Sequence, residues 1–452
     1  MTVSPADDLD GIGGLGGVAP PLVARTRAID EAVAADLDLL GVAADDGAVW
    51  VRNGEGIAGR GIATWIDVPG GDPGAAANAV AESLGAIATD DPLGLPGSGP
   101  VAIGALPFDP LVGGRLAVPR VVVRRTADGR AWLTTIRPAT DPSGPGGDAD
   151  DADALREQWA AAPLARPPDP TAYRVQAVRD PREWAAVVTE VRDRLRAERQ
   201  RGGNDRLRKV VVAREVLVEA DTTIPVSTVL ARLRRAYPAC MVFRTPGSRP
   251  FIGASPELLV ARHDDVVSAH PLAGTAPRSG DPGTDDRLAA DLVASTKDQE
   301  EHRITIDMVH DTLLPWCSYL DEEAEPSVVA MANVSHLGTR VEGRLLRPPV
   351  HVIELVRALH PTPAVGGSPR AAALAVIDEL EGMNRGRYAG PVGWVDAAGN
   401  GEWAVGIRCA EVDGPRARLF AGVGVLPDSD PEAELAETRA KLQALLSAIV
   451  RP

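Results

Sequence analysis

Of the 47 basic side chains in this sequence only three are lysines, Lys209, Lys297 and Lys441. Arginine stays protonated in proteins, whereas a buried lysine can lose its proton and act as a base. Lys209 lies in "RLRKVVVAR". As a strand, this stretch points Lys209, Val211 and Ala213 one way and Val210, Val212 and Arg214 the other. A lysine at the mouth of an apolar strand face can be a general base, or it can snorkel from an edge.

Four further stretches carry residue types suited to chemistry. In "FIGASPELLV", Glu257 is the only charge between Arg249 and Arg262. A carboxyl among apolar neighbours tends to stay protonated and can donate a proton, the alternative being a cap. In "HPLAGTAPRSG", Gly274 and Thr275 could turn backbone N–H groups towards an anion or simply form a turn. In "KDQEEHRITIDM", Lys297, Asp298, Glu301 and His302 sit on adjacent turns of a helix. A carboxylate there could bind a hard cation such as Mg2+, although charged helix faces are usually just solvated. In the last helix Glu434, Glu437 and Lys441 fall at i, i+3 and i+7, on one face. The preceding "FAGVGVLPDSDP" has Gly422 and Gly424, which would let a ligand approach the backbone. Arg408 in "WAVGIRCAEV" is a lone charge in an apolar strand, a carboxylate clamp or half of a buried salt bridge.

These residues need a scaffold. At 452 residues with 44% hydrophobic side chains, the chain has room for a large core. Its net charge of −16 argues against nucleic acid or anionic membrane as partner. There is no apolar run long enough for a membrane span and no signal-peptide pattern at the N-terminus. Three widely spaced cysteines suggest a reduced, cytoplasmic protein with no structural metal. Residues 1–20 read as a flexible N-terminus. Strands and hairpins, with a turn at "ADGR" and one helix from "DPGAAANAV", are expected through residue 135. The acidic, Pro/Gly-rich segment 138–171 reads as a connector with a short central helix. Beyond it come a helix between an Asp cap and a Gly stop, strands near 208–218, 240–244 and 257–262, and one long helix ending at Pro315. A helix capped by Ser368, strands at 391–396, 402–412 and 416–423, and a final helix complete the chain. The mixture points to an α+β architecture.

In order, "KVVVAR", "GASPELL", "PLAGTAPR", "KDQEEH", "LHPTPAVGG", "RYAGPVGW", "AVGIRCAEV" and "GVGV…SDPEAELAETRAK" resemble the chorismate-utilising enzymes over residues 180–450. The family includes isochorismate, salicylate, anthranilate and aminodeoxychorismate synthases. The resemblance implies one compact α/β unit of two facing, largely antiparallel sheets with helices outside. Residues 21–170 would then supply sheet strands and 172–452 the chorismate-binding catalytic region.

The same resemblance implies roles residue by residue. Lys209 would activate a water and Glu257 would protonate the departing C4 hydroxyl. Glu301 and Glu437, supported by Glu434, would hold Mg2+. Arg408, Tyr388, Gly422, Gly424, Lys441, Gly274 and Thr275 would bind chorismate, with His360 and Ala364 of "LHPTPAVGG" also at the substrate. Ammonia-using relatives carry Gln in place of Lys209. Aminodeoxychorismate synthases usually have Lys where Ala273 stands, and pyruvate-releasing members Thr where Ala364 stands. The pattern therefore fits an isochorismate synthase, with salicylate synthase and an idle chorismate-binding protein as rivals. A monomer without a glutamine amidotransferase subunit is expected, its product feeding menaquinone or siderophore synthesis.

Overall fold

The computed structural model describes residues 20–140, 169–203 and 205–450. Nearly all of the expected flexible N-terminus, and most of the 138–171 connector with its central helix, lie outside the described residues.

Twenty strands join into one continuous sheet. Pairing is antiparallel except where Leu22–Ile29 runs beside Ala88–Asp90. The sheet folds over on itself through the long pair Glu55–Val68 and Gly114–Arg125, whose register slips between Ile62 and Thr64. One end of Gly114–Arg125 pairs with Val101–Ala105 and the other with Ala131–Pro138. Two layers result. The first runs through Tyr173–Ala177, Lys209–Ala220, Arg416–Val425, Cys409–Asp413, Phe251–Ser255, Met241–Arg244 and Ala48–Arg52. The second runs through Pro391–Asp396, Gly401–Val405, Leu258–His263, Val266–His270, Val341–Leu345 and Cys317–Glu322. They face one another: Trp50 Nε1 of the first donates to the Glu402 carboxylate of the second, and Arg124, from the connecting strand Gly114–Arg125, lies 3.2 Å from the same carboxylate. Trp50, Phe243 and Trp394 share the largest apolar core.

Two segments cross between the layers, and each carries a candidate site residue. Phe251–Ser255 passes to Leu258–His263 through Pro256 and Glu257; Gly401–Val405 passes to Cys409–Asp413 through Gly406, Ile407 and Arg408. The two crossings are bonded together. Ser255 Oγ donates to the Val405 carbonyl, Val405 N–H to the Glu257 carbonyl and Ala254 N–H to the Arg408 carbonyl. The single strand expected at 402–412 is thus two strands in different layers, broken where Arg408 adopts a left-handed φ of 51°. Bends of this kind let a strand switch sheets.

Local signals placed most helices. Asp72 caps Pro73–Gly85 and Asp180 caps Pro181–Arg201, each with Pro at the first position. Gly202 stops the latter with φ 72°. The turn at "ADGR" joins Gly114–Arg125 to Ala131–Pro138. Two expectations need correction. The long helix up to Pro315 is two, Pro282–Ala294 and Thr296–Leu313, because the Ser295 side chain accepts the Asp298 N–H and starts a second helix. Ser368 is no cap: it pairs with Lys209 in the two-residue strand Gly367–Ser368, and helix Arg370–Leu380 starts after Pro369 without a side-chain cap.

The strand carrying Lys209 has Arg416–Val425 along one edge, but Tyr173–Ala177 covers the other edge only at residues 216–220. At 211–213 other groups replace the missing strand. Val211 N–H donates to the Gly366 carbonyl and Ala213 N–H to Glu381 Oε2, while the Ala213 carbonyl accepts Trp184 Nε1. The Val211 carbonyl accepts from Arg385, whose guanidinium also forks onto Glu381 at 2.6 and 2.7 Å and reaches the Val365 carbonyl. Arg385 and Glu381 are both buried. Removing one member of a buried pair strands the other charge, at a cost of about 3–5 kcal/mol. Arg385→Met is therefore expected to lose about that much unfolding free energy in a urea titration. A loss under about 1 kcal/mol, the scale of an exposed pair, would show that this knot does not hold the strand.

Candidate active site

A pocket of about 600 Å³, partly open to solvent, lies over the C-terminal part of Arg416–Val425 and the start of Lys209–Ala220. Ten of the sequence-derived site residues line it: Glu257, Gly274, Thr275, Glu301, Ala364, Tyr388, Arg408, Gly422, Gly424 and Lys441. Val211 lines it too, as expected for the face shared with Lys209. The glycines make the floor. Gly422 pairs with Ala213 and Gly424 with Val211. A Cβ on Gly422 would come 2.8 Å from the Tyr388 hydroxyl; one on Gly424 would sit 2.4 Å from Glu301 Oε1 and 2.6 Å from Lys209 Cε. All three distances are shorter than a carbon can approach, so only glycine leaves these polar groups accessible.

Lys209 is fully buried, and its Nζ lies 2.9 Å from Glu301 Oε1. That approach falls outside hydrogen-bond geometry, so the ammonium has an ionic neighbour but no directed acceptor among the described residues. Its burial excludes the snorkelling alternative. Glu257 is buried at the layer crossing. Desolvation pushes its carboxyl up to about 7, against the opposing pull of Lys209 and a hydrogen bond from Leu272 N–H. Near neutrality it is poised to give up a proton.

Arg408 is buried, and no carboxylate lies within ion-pair distance of it among the described residues. Its Nη2 instead donates to His336 Nε2 at 2.8 Å. Arginine can only donate, so Nε2 is the acceptor and Nδ1 carries the proton, which it gives to the Gly274 carbonyl at 2.8 Å. Burial, with Arg408 and Lys441 beside it, depresses His336 to about 3, so it stays neutral. Sequence reasoning missed His336: a single histidine in "NVSHLGTRVEG" carries no spacing signal. Gly274 has φ 68° and faces Asp298, 3.0 Å from where a Cβ would stand. Tyr388 is stacked on Phe420 with centroids 5.0 Å apart.

The carboxylates adjoin the pocket from two helices. Glu301 comes from Thr296–Leu313, and Glu434 and Glu437 come from Pro431–Val450. Burial opposes ionisation of Glu437, but Lys441 at 2.6 Å and the Thr275 hydroxyl outweigh it and hold the carboxyl below its ordinary range. Lys441 also donates to the Gly422 carbonyl. Lys209, Glu437, Glu434 and His360 do not line the pocket itself. Lys209 and Glu437 are paired to Glu301 and Lys441, which do, whereas Glu434 is bound by Lys297 at 3.0 Å. His360 is bonded elsewhere. Its Nε2 lies 2.8 Å from the Phe108 carbonyl and it does not line the pocket; it supports the loop behind Ala364. Among the described residues no three His, Cys, Asp or Glu side chains converge into a metal cage. Mg2+ needs no cage: one or two carboxylates with water and substrate oxygens suffice. Glu301 and Glu437, beside a floor opened by Gly424, fit that requirement.

A family model described as chorismate binding enzyme matches residues 50–450. The isochorismate synthase DhbC of Bacillus subtilis is 36% identical over 360 residues, covering 78% of this chain and 81% of that protein. The solved structure of MenF, the menaquinone-specific isochorismate synthase of Escherichia coli, superposes with a TM-score of 0.76 at 25% identity, covering 95% of each chain. Anthranilate synthase component I of Streptococcus pneumoniae shares the fold at a TM-score of 0.69 and 22% identity, over 86% of this chain and 91% of that one. The match runs well upstream of residue 180, so the N-terminal strands are part of the same unit: the chain belongs to the chorismate-binding enzymes.

Proposed function

We propose that this protein is an isochorismate synthase, adding water at C2 of chorismate and expelling the C4 hydroxyl. The observation that carries this reading is the pairing of a buried, undirected Lys209 ammonium with a protonatable Glu257 across one pocket. To act as the base Lys209 must first give up its own proton; water bound there would then pass a proton to it while attacking C2, and Glu257 would deliver a proton to the leaving oxygen. Arg408, with its charge uncancelled, and the Tyr388 hydroxyl hold the pyruvyl carboxylate. Glu301 and Glu437 would hold Mg2+, which when bound neutralises the ring carboxylate. Ala364 presents only a methyl group to the pocket, consistent with release of the product before pyruvate is lost. Water as nucleophile requires no ammonia-supplying subunit, and the free, buried Cys240 and Cys409 suit a reducing cytoplasm.

Incubating the pure protein with chorismate and Mg2+ is expected to yield isochorismate, with pyruvate near background in a lactate-dehydrogenase assay and turnover abolished by EDTA. Stoichiometric pyruvate would transfer the protein to the salicylate-forming members; full turnover in metal-free buffer would remove the Mg2+ assignment.

Lys209→Arg keeps the charge but cannot release a proton. Loss of a general base costs about 10²- to 10⁴-fold, so kcat is expected to fall at least about a hundredfold while chorismate still binds. A variant within about fivefold of wild type, far short of a base deletion, would mean that another group takes the proton.

Glu257 works only when protonated, and its pKa is raised to about 7. Its protonated fraction is thus nearly complete below pH 6 and shrinks as pH rises through 7, by about tenfold per unit beyond it. Because Lys209 must lose a proton while Glu257 keeps one, the carboxyl is read directly: an infrared band of the protonated acid is expected to fade with a midpoint near pH 7 and to be absent from Glu257→Gln. A Glu257 carboxyl fully ionised at pH 6 would exclude it as the acid.

A further inference from the structure

Each lysine of this chain ends on one carboxylate: Lys209 on Glu301, Lys441 on Glu437 and Lys297 on Glu434. Lys441 lines the pocket, and Lys209 reaches it through Glu301, which does. Lys297 neither lines it nor holds a carboxylate that does. Its side chain is 40% exposed while the carboxylate beneath it is 3% exposed. Glu434, Glu301 and Glu437 all act on its ammonium through their fields, so Lys297 stands close to the whole carboxylate group. Glu437 acts in turn on Glu434, one helical turn away on the same face.

Glu434 therefore has the position to join a cation held by Glu301 and Glu437. A third carboxylate would change the character of such a site. Cation affinity rises with the number of ligand charges, and Ca2+, which takes six to eight oxygens in loose geometry, profits more than Mg2+, which keeps its waters and a near-octahedral shell. It would also fill a coordination position that a substrate oxygen needs. What stands against this is the Lys297 ammonium, hydrogen-bonded to Glu434 Oε1.

We propose that Lys297 is a metal-selectivity residue, whose ammonium holds Glu434 away from the cation bound by Glu301 and Glu437 and so keeps the site a two-carboxylate, Mg2+-type site. This rests on the Mg2+ reading above. Lysine serves by charge alone, so Lys297→Arg is expected to preserve the behaviour, whereas Lys297→Met leaves Glu434 with the neutral hydrogen bond of Ser429 and no countercharge.

The test is metal binding by the full chain without chorismate. Bound Mn2+ is counted by electron paramagnetic resonance, and Ca2+ and Mg2+ are titrated against it. Lys297→Met is expected to bind Ca2+ at least about tenfold more tightly than wild type, and Mg2+ no more than about threefold more tightly. Adding Glu434→Gln should return Ca2+ affinity to the wild-type value. Melting curves establish that each variant is folded, which the exposure of Lys297 favours. Ca2+ affinity of Lys297→Met within about twofold of wild type, well inside the range that ligand charge commands, overturns the proposal, as does a gain that survives Glu434→Gln. Wild-type protein that binds no Mn2+ overturns the Mg2+ reading and this proposal together; wild type that binds it beside an unaltered Lys297→Met overturns the proposal alone.

Discussion

The site depends on a strand that has lost its neighbour. Residues 211–213, immediately after Lys209, lie on an edge where no strand covers them, yet they are buried. An unpaired backbone group in such a place is costly. Here every free N–H and C=O of Val211 and Ala213 finds a partner in Gly366, Arg385, Glu381 or Trp184. Replacing a strand by a loop and a buried ion pair does more than satisfy the ladder. It brings the 362–366 loop, with Ala364, against the strand of the candidate base, and Arg385 also lies over the ring of Tyr388. Base, loop and tyrosine are thus positioned by one guanidinium.

A second constraint is charge. The protein is strongly acidic, its proposed substrate is a dianion, and Glu301 lines the pocket with Glu437 and Glu434 beyond its wall. The lysines resolve this locally. Each neutralises one carboxylate, so the pocket meets a ligand with paired charges rather than with a field of its own sign. Such pairs are close to break-even in stability when buried. On the proposed Mg2+ reading their value would be exchange: a divalent cation would take Glu301 from Lys209, leaving the lysine for a water.

Much of this was legible in the sequence because it is local. Alternation placed Lys209 and Val211 on one face, the spacing of Gly422 and Gly424 announced a bare floor, and Asp-Pro pairs marked helix starts. What stayed hidden is non-local. In "WAVGIRCAEV" nothing in the alternation tells that Gly406–Arg408 leaves one layer for another, because that break is set by pairing with Leu258–His263 on one side and Phe251–Ser255 on the other. Ser295 read as one more helical residue because its capping of Asp298 competes with continuation on nearly equal terms. His336 was overlooked for a related reason. A ring buried behind a loop and a ring facing a ligand look the same in a string of letters, and nothing in "NVSHLGTRVEG" marks the histidine that lines the pocket.

His336 explains how Arg408 can be held without being neutralised. A buried guanidinium needs acceptors, and the usual one is a carboxylate, which would cancel the charge that a substrate carboxylate should meet. A neutral imidazole accepts one N–H and cancels nothing. Its other nitrogen must then donate, and the Gly274 carbonyl stands where it can receive. That carbonyl belongs to a left-handed glycine whose turn also presents Thr275 to Glu437. Arg408 at one layer crossing, His336 on Val334–Gly338, the central strand of a separate three-stranded sheet, and the carboxylate on the last helix are therefore linked by a chain of hydrogen bonds with a defined direction. The low pKa of His336 comes first from burial and then from the same arrangement, since protonation would set a second cation against Arg408; the chain keeps its polarity across the neutral range.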